Sequence, residues 1–149
     1  MLLTGSPTVD AQRAFTRAAR ERRLATIRRL LSPRASVRRR LTVYDEGKLP
    51  RSNAQYRRAI REIPIAAISG TVEPGSATRF DDAFRPAAGT RCRWERLWLA
   101  EQRGAVLPPI SVVKVGDGYA VRDGHHRVSV ARARGAVCID ATIDATWAA

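Results

Sequence analysis

The chain has 149 residues and a mass of 16.5 kDa, a length that fits one ordinary domain with a short appended region. Hydrophobic residues make up 44% and charged residues 28%, which is enough apolar material for a packed core and excludes wholesale disorder. The formal net charge of +13 is too large to serve solubility alone and points to a polyanionic partner.

Two further function classes are excluded by what the sequence lacks. No segment approaches the length of apolar sequence that a membrane span needs, and the N-terminus has no signal-peptide core, so we expect a cytoplasmic protein without membrane contact. The two cysteines, Cys92 and Cys138, form no CxxC pair, so neither a zinc-knuckle spacing nor a disulfide framework is present. We therefore expect two free thiols in a reducing compartment.

The first 60 residues carry most of the charge, with 15 basic and 4 acidic side chains. From Asp10, interpreted as the N-cap, apolar residues recur at helical spacing to Leu31, which predicts an amphipathic basic helix that Pro33 ends. The chain is therefore divided into a basic helical N-terminal region, 1–60, and a compact domain, 61–149.

The basic helix has three interpretations. Its apolar stripe packs on the domain while the arginines are solvated, its arginines bind nucleic-acid phosphates, or it is an organelle presequence. In the second case the region is an arm that holds DNA without sequence preference, and the protein is nucleoid-associated. The candidate DNA-binding residues are Arg22, Arg23, Arg28, Arg29, Arg38, Arg39 and Arg40.

The remaining elements follow a polar connector that contains Pro50, Ser52 and Asn53. The patterns predict a short strand over 63–68, a loop over 70–76, a helix over 91–103, a hairpin of 110–115 and 119–122, a helix over 125–134 and a half-buried strand over 137–143. Trp94, Leu97 and Trp98 stand at i, i+3 and i+4, which is typical of a core face. The order of elements predicts an α+β fold.

The segment from Arg122 to Arg127 lies between the second hairpin strand and a helix, and it suits a phosphate ligand. Gly124 permits a tight turn and a close approach of the backbone, while the helix start offers unpaired N–H groups. Arg127 can bind phosphate oxygens, and His125 and His126 can donate to them or exchange protons. Two other interpretations remain open: Asp123 simply caps the helix, or Asp123 and one histidine hold a metal ion.

The run from Glu62 to about Ile143 resembles the ParB/sulfiredoxin-like family, also called the ParB-like nuclease domain. The resemblance is carried, in order, by Ile63-Pro64-Ile65, by residues 79–84 (RFDDAF), by residues 107–112 (LPPISV) and by residues 123–127 (DGHHR) before the helix. It implies a small mixed sheet with packed helices, preceded here by the basic helical region.

The resemblance also implies a ligand. In partition proteins the corresponding glycine-and-arginine loop binds the phosphates of CTP, in sulfiredoxins a Gly-Cys-His-Arg loop binds ATP, and in free-serine kinases an Asp-Gly-His-x-Arg loop serves nucleotide phosphates and substrate. By this resemblance, Gly124, His125, His126 and Arg127 would hold a nucleoside triphosphate, CTP or ATP with Mg²⁺, and Arg79 would reach its phosphates. The bound nucleotide could order a contact between two copies of the chain.

The kinase-like branch would also need a base. Glu73 is the candidate base, with Asp123 as a metal or substrate ligand and His125 as a further catalytic candidate. In the alternative interpretation, Glu73 is a solvated loop carboxylate and Arg79 forms an ion pair with Asp81 or Asp82. The main expectation is thus a ParB-like, DNA-associating nucleotide-binding protein. The alternatives are an ATP- or ADP-dependent small-molecule kinase, a weak ATPase or a nuclease.

Three departures from the family limit these expectations. His125 stands where sulfiredoxins have their catalytic cysteine, so sulfinic-acid reduction at this loop is not expected. Partition proteins have two adjacent arginines where this chain has His126 and Arg127. Only a few residues follow Ile143, so we expect no helix-turn-helix domain to read an operator.

Overall fold

The computed structural model describes residues 5–32, 40–48 and 59–147. Six strands form one mixed sheet in the order β1-β3-β5-β4-β6-β2, and the predicted α+β class is confirmed. The strands are β1 (Thr42–Val43), β2 (Ile60–Pro64), β3 (Ile68–Thr71), β4 (Ile110–Val115), β5 (Gly118–Asp123) and β6 (Cys138–Trp147); the helices are α1 (Pro7–Leu31), α2 (Ser76–Arg79), α3 (Arg91–Gln102) and α4 (His125–Ala133). Within the described ranges, no helix has the length and apolar character needed to cross a bilayer.

The C-terminal half of the sheet follows the sequence patterns closely. Strands β4 and β5 pair antiparallel as the predicted hairpin, and β6 lies parallel to β4 with Ala141 and Ile143 buried and Asp140 exposed. Helix α4 ends before Gly135, whose φ of +77° is one that glycine adopts without strain. These elements were predictable because each has a clear period and a turn residue at its end.

Two hydrophobic clusters lie on opposite sides of α4. Val128 of α4 belongs to a cluster with the inward side chains of the sheet, including Ile110 and Val121. Val130 belongs to a second cluster with Trp94 of α3 and Phe15 of α1. Helix α4 thus lies between the sheet and the other two long helices, and this fixes the position of its N-terminus.

Helix α1 begins earlier than predicted. Pro7 is its first residue and Ser6 its N-cap, whereas Asp10, predicted as the N-cap, lies inside the helix and is buried. Proline suits the first helical position because its fixed φ is helical and its missing N–H would have no helical partner there. The helix ends at Leu31, as expected; Pro33 lies outside the described residues.

Only the first half of the predicted apolar stripe of α1 packs on the domain. Phe15 and Ala18 are buried, but Leu24, Ile27 and Leu31 are 39%, 50% and 79% exposed. The 25 residues of α1 span about 37 Å, whereas the 12 residues of α3 that it packs against span about 18 Å. The C-terminal half of α1 therefore extends past its packing partner.

The strand predicted over 63–68 is wrong as a single element. Strand β2 ends at Pro64, a 3-10 turn follows over Ile65–Ala67, and β3 begins at Ile68 in another position of the sheet. Pro64 has no N–H to continue a strand ladder. The loop predicted over 70–76 is also wrong at both ends, since β3 extends to Thr71 and α2 starts at Ser76.

Candidate functional site

The predicted phosphate-binding and catalytic residues line one cavity of about 320 Å³ at the end of β5. These seven residues are Glu73, Arg79, Asp123, Gly124, His125, His126 and Arg127, and the cavity is completed by Ser76, Arg93, Leu97 and Arg122. The chain positions that were grouped by sequence are therefore close in space.

The turn from β5 into α4 requires glycine at position 124. Gly124 has a φ of +102°, and a Cβ there would lie 2.5 Å from Cγ2 of Ile110. The first intrahelical hydrogen bond runs from the N–H of Val128 to the carbonyl of Gly124, at 3.0 Å. The N–H groups of the three preceding residues thus lie at an N-terminus that no side chain caps, where the helix dipole favours an anion.

His125 is held on the inner wall of the cavity. Its Nε2 lies 2.7 Å from Oγ1 of Thr71 in a buried hydrogen bond, and the rings of Phe80 and Phe84 stack against its imidazole at centroid distances of 6.2 and 6.4 Å. Burial, followed by the charge of Arg79, lowers the pKa of His125 to about 4. The imidazole is therefore neutral at pH 7.

His126 is neutral for the same physical reason. Its ring packs edge-on against Phe80, at 5.1 Å between centroids. Burial, followed by the charges of Arg93 and Arg79, lowers its pKa to about 4. Two neutral imidazoles thus face the cavity beside arginine charges that an anion would offset.

Arg127 lies in the cavity wall, but its guanidinium also makes contacts within the protein. Its Nη1 donates to the carbonyls of Pro108 and Pro109, the latter at 2.7 Å, and its Nη2 donates to Oδ2 of Asp123 at 2.5 Å. Arg127 therefore joins the loop before β4 to the start of α4. Removing its side chain would disturb the cavity wall as well as any phosphate contact.

Glu73 and Arg79 lie at the two ends of the turn that contains α2. Glu73 is exposed, while Arg79 donates to the carbonyl of Gly75 at 3.2 Å and to Oγ of Ser76 at 3.0 Å. The alternative ion pair of Arg79 with Asp81 or Asp82 is not formed. Those two carboxylates pair with Arg85 and Arg29 instead.

Two cavity arginines were not among the predicted site residues. Arg93 projects from α3, and it makes no hydrogen bond or ion pair with any described residue. Arg122 donates to Glu46 and Asp144, and these hydrogen bonds raise its pKa against the effect of burial. Arg122 is the first residue of the segment that the sequence analysis identified, although no role was predicted for it. Only the packing of α3 beside α4 brings Arg93 to the cavity.

Comparison with known proteins gives a fold-level likeness. No protein-family model and no curated protein matches the chain. Among solved structures, the chain is similar to sulfiredoxin from Arabidopsis thaliana, with 22% identity and a TM-score of 0.43, over 57% of this chain and 83% of that one. At this level of similarity, the ligand has to be argued from the residues of the cavity.

The predicted DNA-binding arginines are not on one face of α1. Arg22 and Arg29 turn toward the domain, where Arg29 pairs with Asp82 at 2.5 Å, whereas Arg23 and Arg28 are exposed. Arg40 is exposed as well, while Arg38 and Arg39 lie outside the described residues, as does the polar connector at 50–53.

The structure adds no further metal ligands to the interpretation in which Asp123 and one histidine hold a metal ion. Within residues 5–32, 40–48 and 59–147, no three side chains of the His, Cys, Asp and Glu types are placed to hold one metal ion. Cys92 is exposed on α3 and Cys138 lies in β6, both as free thiols.

Proposed function

We propose that this protein binds the phosphates of a nucleoside triphosphate in the cavity at the start of α4. The observation that carries the proposal is the convergence of four guanidinium groups and one uncapped helix N-terminus on a single cavity. The base, cytosine or adenine, would lie outside this phosphate-binding part of the site.

The charge balance of the cavity supports an anionic ligand. Arg127 is paired with Asp123, and Arg122 is paired with Glu46 and Asp144. Two other cavity arginines, at positions 79 and 93, have no carboxylate partner among the described residues, and both histidines are neutral. A phosphate group with two negative charges would offset the two unpaired guanidinium charges.

The size and lining of the cavity favour phosphates over a base. A volume of about 320 Å³ lies at the low end of the range for small-molecule sites. Leu97 is the one aliphatic side chain among the residues that line it, and the other ten are charged, polar or glycine. A nucleoside base would find little apolar surface here, whereas phosphate oxygens would find donors on several sides.

Arg93→Ala tests the phosphate proposal most directly, because this exposed side chain makes no hydrogen bond or ion pair with any described residue. Calorimetry with ATP, CTP and inorganic pyrophosphate, each with Mg²⁺, should give saturable binding to the native protein. Losing one charge-assisted contact should weaken binding by roughly ten- to a hundredfold. Arg96→Ala, which removes an exposed arginine one turn away on α3, should bind as the native protein does. No saturable binding to any of the three, or equal affinities of the two variants, would overturn the proposal.

A phosphotransferase is the second candidate, and the position of Glu73 favours it. This carboxylate lines the same cavity as the proposed phosphate site, where it could accept the proton of a substrate hydroxyl. Mg²⁺ would supply charge neutralisation at the transferred phosphate. Turnover that Glu73→Gln abolishes while nucleotide still binds would favour this candidate over a binding protein.

We also propose that the protein associates with DNA, through the outward face of α1. Arg13, Arg17 and Arg20 are exposed and line one shallow groove of about 500 Å³ together with Arg91, and no carboxylate lines it. They recur every three or four residues, which places them in one row along the helix. Arginines in such a row suit the phosphates of a nucleic-acid backbone, without sequence preference.

A further inference from the structure

The contacts of Arg22 join α1 to the wall of the phosphate cavity. Its Nη1 donates to the carbonyl of Arg79 at 2.9 Å and to that of Arg85 at 3.4 Å, and its Nη2 donates to the carbonyl of Thr78 at 3.2 Å. Thr78 and Arg79 are the last two residues of α2. One guanidinium from α1 therefore binds the C-terminal end of a helix more than fifty positions away.

Helix α2 is a single turn of four residues, and its end is held from outside the turn by Arg22 and by the N–H of Ala87, which donates to the carbonyl of Arg79 at 2.8 Å. An isolated turn of this length is not stable in water, and its last carbonyls have no helical partner. The planar fork of Arg22 supplies donors to two of these carbonyls, and its positive charge is favourable at the negative end of a helix. The Ser76 and Arg79 side chains that α2 presents both line the cavity.

We propose that Arg22 is a positioning residue for phosphate binding, which acts by holding the end of α2 so that the Arg79 side chain faces the cavity. The inference rests on the proposed phosphate site and assigns α1 a part in it. Helix α1 is then a component of the nucleotide-binding unit, whereas the sequence suggested a separable arm. Arg22, expected from sequence to contact DNA, has its guanidinium directed to the cavity wall instead.

The experiment compares Arg22→Gln and Arg22→Lys with the native full-length chain. Arg22→Gln removes the charge and the fork, while Arg22→Lys keeps the charge but has one ammonium in place of the planar fork. Pyrophosphate affinity is measured by calorimetry, and the pKa of His125 by NMR titration without ligand. Glu21→Gln, at the preceding exposed position of α1, serves as the control.

We expect pyrophosphate to bind roughly tenfold more weakly to Arg22→Gln, because the contact of Arg79 with phosphate is misplaced rather than removed. The loss of affinity should be intermediate in Arg22→Lys and absent in Glu21→Gln. The pKa of His125 should rise in Arg22→Gln, because the charge of Arg79 that lowers it would move away. A general loss of stability would not produce that rise in the folded protein.

The outcomes separate the two proposals. Unchanged affinity in Arg22→Gln, or a weaker affinity with an unchanged pKa of His125, would overturn the role of Arg22 through Arg79. If the native protein binds no pyrophosphate, the phosphate proposal fails, and the pKa of His125 alone then decides whether Arg22 positions Arg79.

Discussion

His125 and His126 take their properties from their surroundings rather than from their place in the sequence. The sequence places both at the start of a helix, where histidines are usually solvated and titrate near neutral pH. In the structure both are buried, beside Arg79 and Arg93, and their pKa values fall to about 4. They act at pH 7 as neutral donors and acceptors, and a bound phosphate would raise both pKa values.

The two lowered pKa values predict a pH-dependent stability. Between pH 6.5 and about pH 4, the unfolded chain carries protons on both histidines and the folded chain does not. The free energy of unfolding should therefore be largest above pH 6.5 and fall as the pH drops through this window, by roughly 1.4 kcal/mol per pH unit for each histidine. Urea unfolding at pH 7, 6 and 5 measures this change in the free energy of unfolding.

His126→Asn is the matching variant for this prediction, because it leaves the hydrogen bond between His125 and Thr71 in place. Its stability should depend on pH about half as steeply as that of the native chain over the same range. Saturating pyrophosphate should flatten the native curve, since the bound anion favours protonated histidines. The same pH dependence in His126→Asn as in the native chain would contradict the assignment of His126 as a buried neutral group.

At this scale the local patterns of the sequence identify the cavity residues that are near one another along the chain, whereas Glu73 and Arg79 were added from the family resemblance and the chemistry that it implies. The run from Asp123 to Arg127 is identified by its glycine and its position between a strand and a helix. Arg93 is not, because on α3 it reads as one more solvated arginine, and only tertiary packing brings it near His126. Patterns in a single sequence predict local geometry, but they do not predict which distant helices pack together.

Helix α1 behaves in the structure as part of the folded domain. Phe15 packs edge-on against Trp94 of α3, at 5.5 Å between ring centroids, and Trp94 donates from its Nε1 to Ser129 of α4. Strand β1, also from the first 60 residues, pairs with β3. The contact of Phe15 with Trp94 and the pairing of β1 with β3 both cross the predicted boundary between 1–60 and 61–149.

Phe15→Ala tests whether α1 and the domain unfold together. Removing this buried ring should lower the free energy of unfolding by about 3–5 kcal/mol, because it leaves a cavity against Trp94. Urea transitions followed by tryptophan fluorescence and by far-UV circular dichroism should shift together. The control is Leu24→Ala, on the exposed half of α1, which should change stability by less than about 0.5 kcal/mol.

If the 1–60 region folded independently, Phe15→Ala would leave the transition of the sheet in place and produce two separate transitions. The sequence could not decide this point. It gives the helical period of α1 and its apolar positions, and it correctly allows packing on the domain. It predicts the bounds of α3 closely but not that α1 packs against α3, and so it cannot show that Leu24 and Ile27 remain exposed.

Within the described residues, arginines line two surfaces of different shape. In the cavity, arginines face a small volume and two neutral histidines. On the outward face of α1, Arg13, Arg17 and Arg20 line an open groove. Composition alone, with a net charge of +13, indicates a polyanionic partner but does not separate these two surfaces.

The open surface predicts salt-dependent DNA binding that is independent of the cavity. Replacing Arg13, Arg17 and Arg20 by glutamine should weaken binding to duplex DNA of any sequence. Each phosphate contact contributes about 0.9 to the slope of log affinity against log salt, so the slope should fall by about 2.7 if all three bind phosphates. Fluorescence anisotropy across a salt series measures both the DNA affinity and its salt slope. The affinity for pyrophosphate should equal that of the native protein.

The charge-matched control is the triple variant Arg96→Gln, Arg103→Gln and Lys114→Gln, which removes three positive charges that do not line the α1 groove. It should keep nearly the native salt slope, because long-range attraction is screened within about 10 Å at 0.1 M salt while direct phosphate contacts are not. Equal losses in the two triple variants would mean that net charge alone attracts DNA and that α1 is not the binding surface. A loss confined to the α1 variant would assign duplex binding to the outward face of the helix whose inward face, through Arg22, supports the cavity.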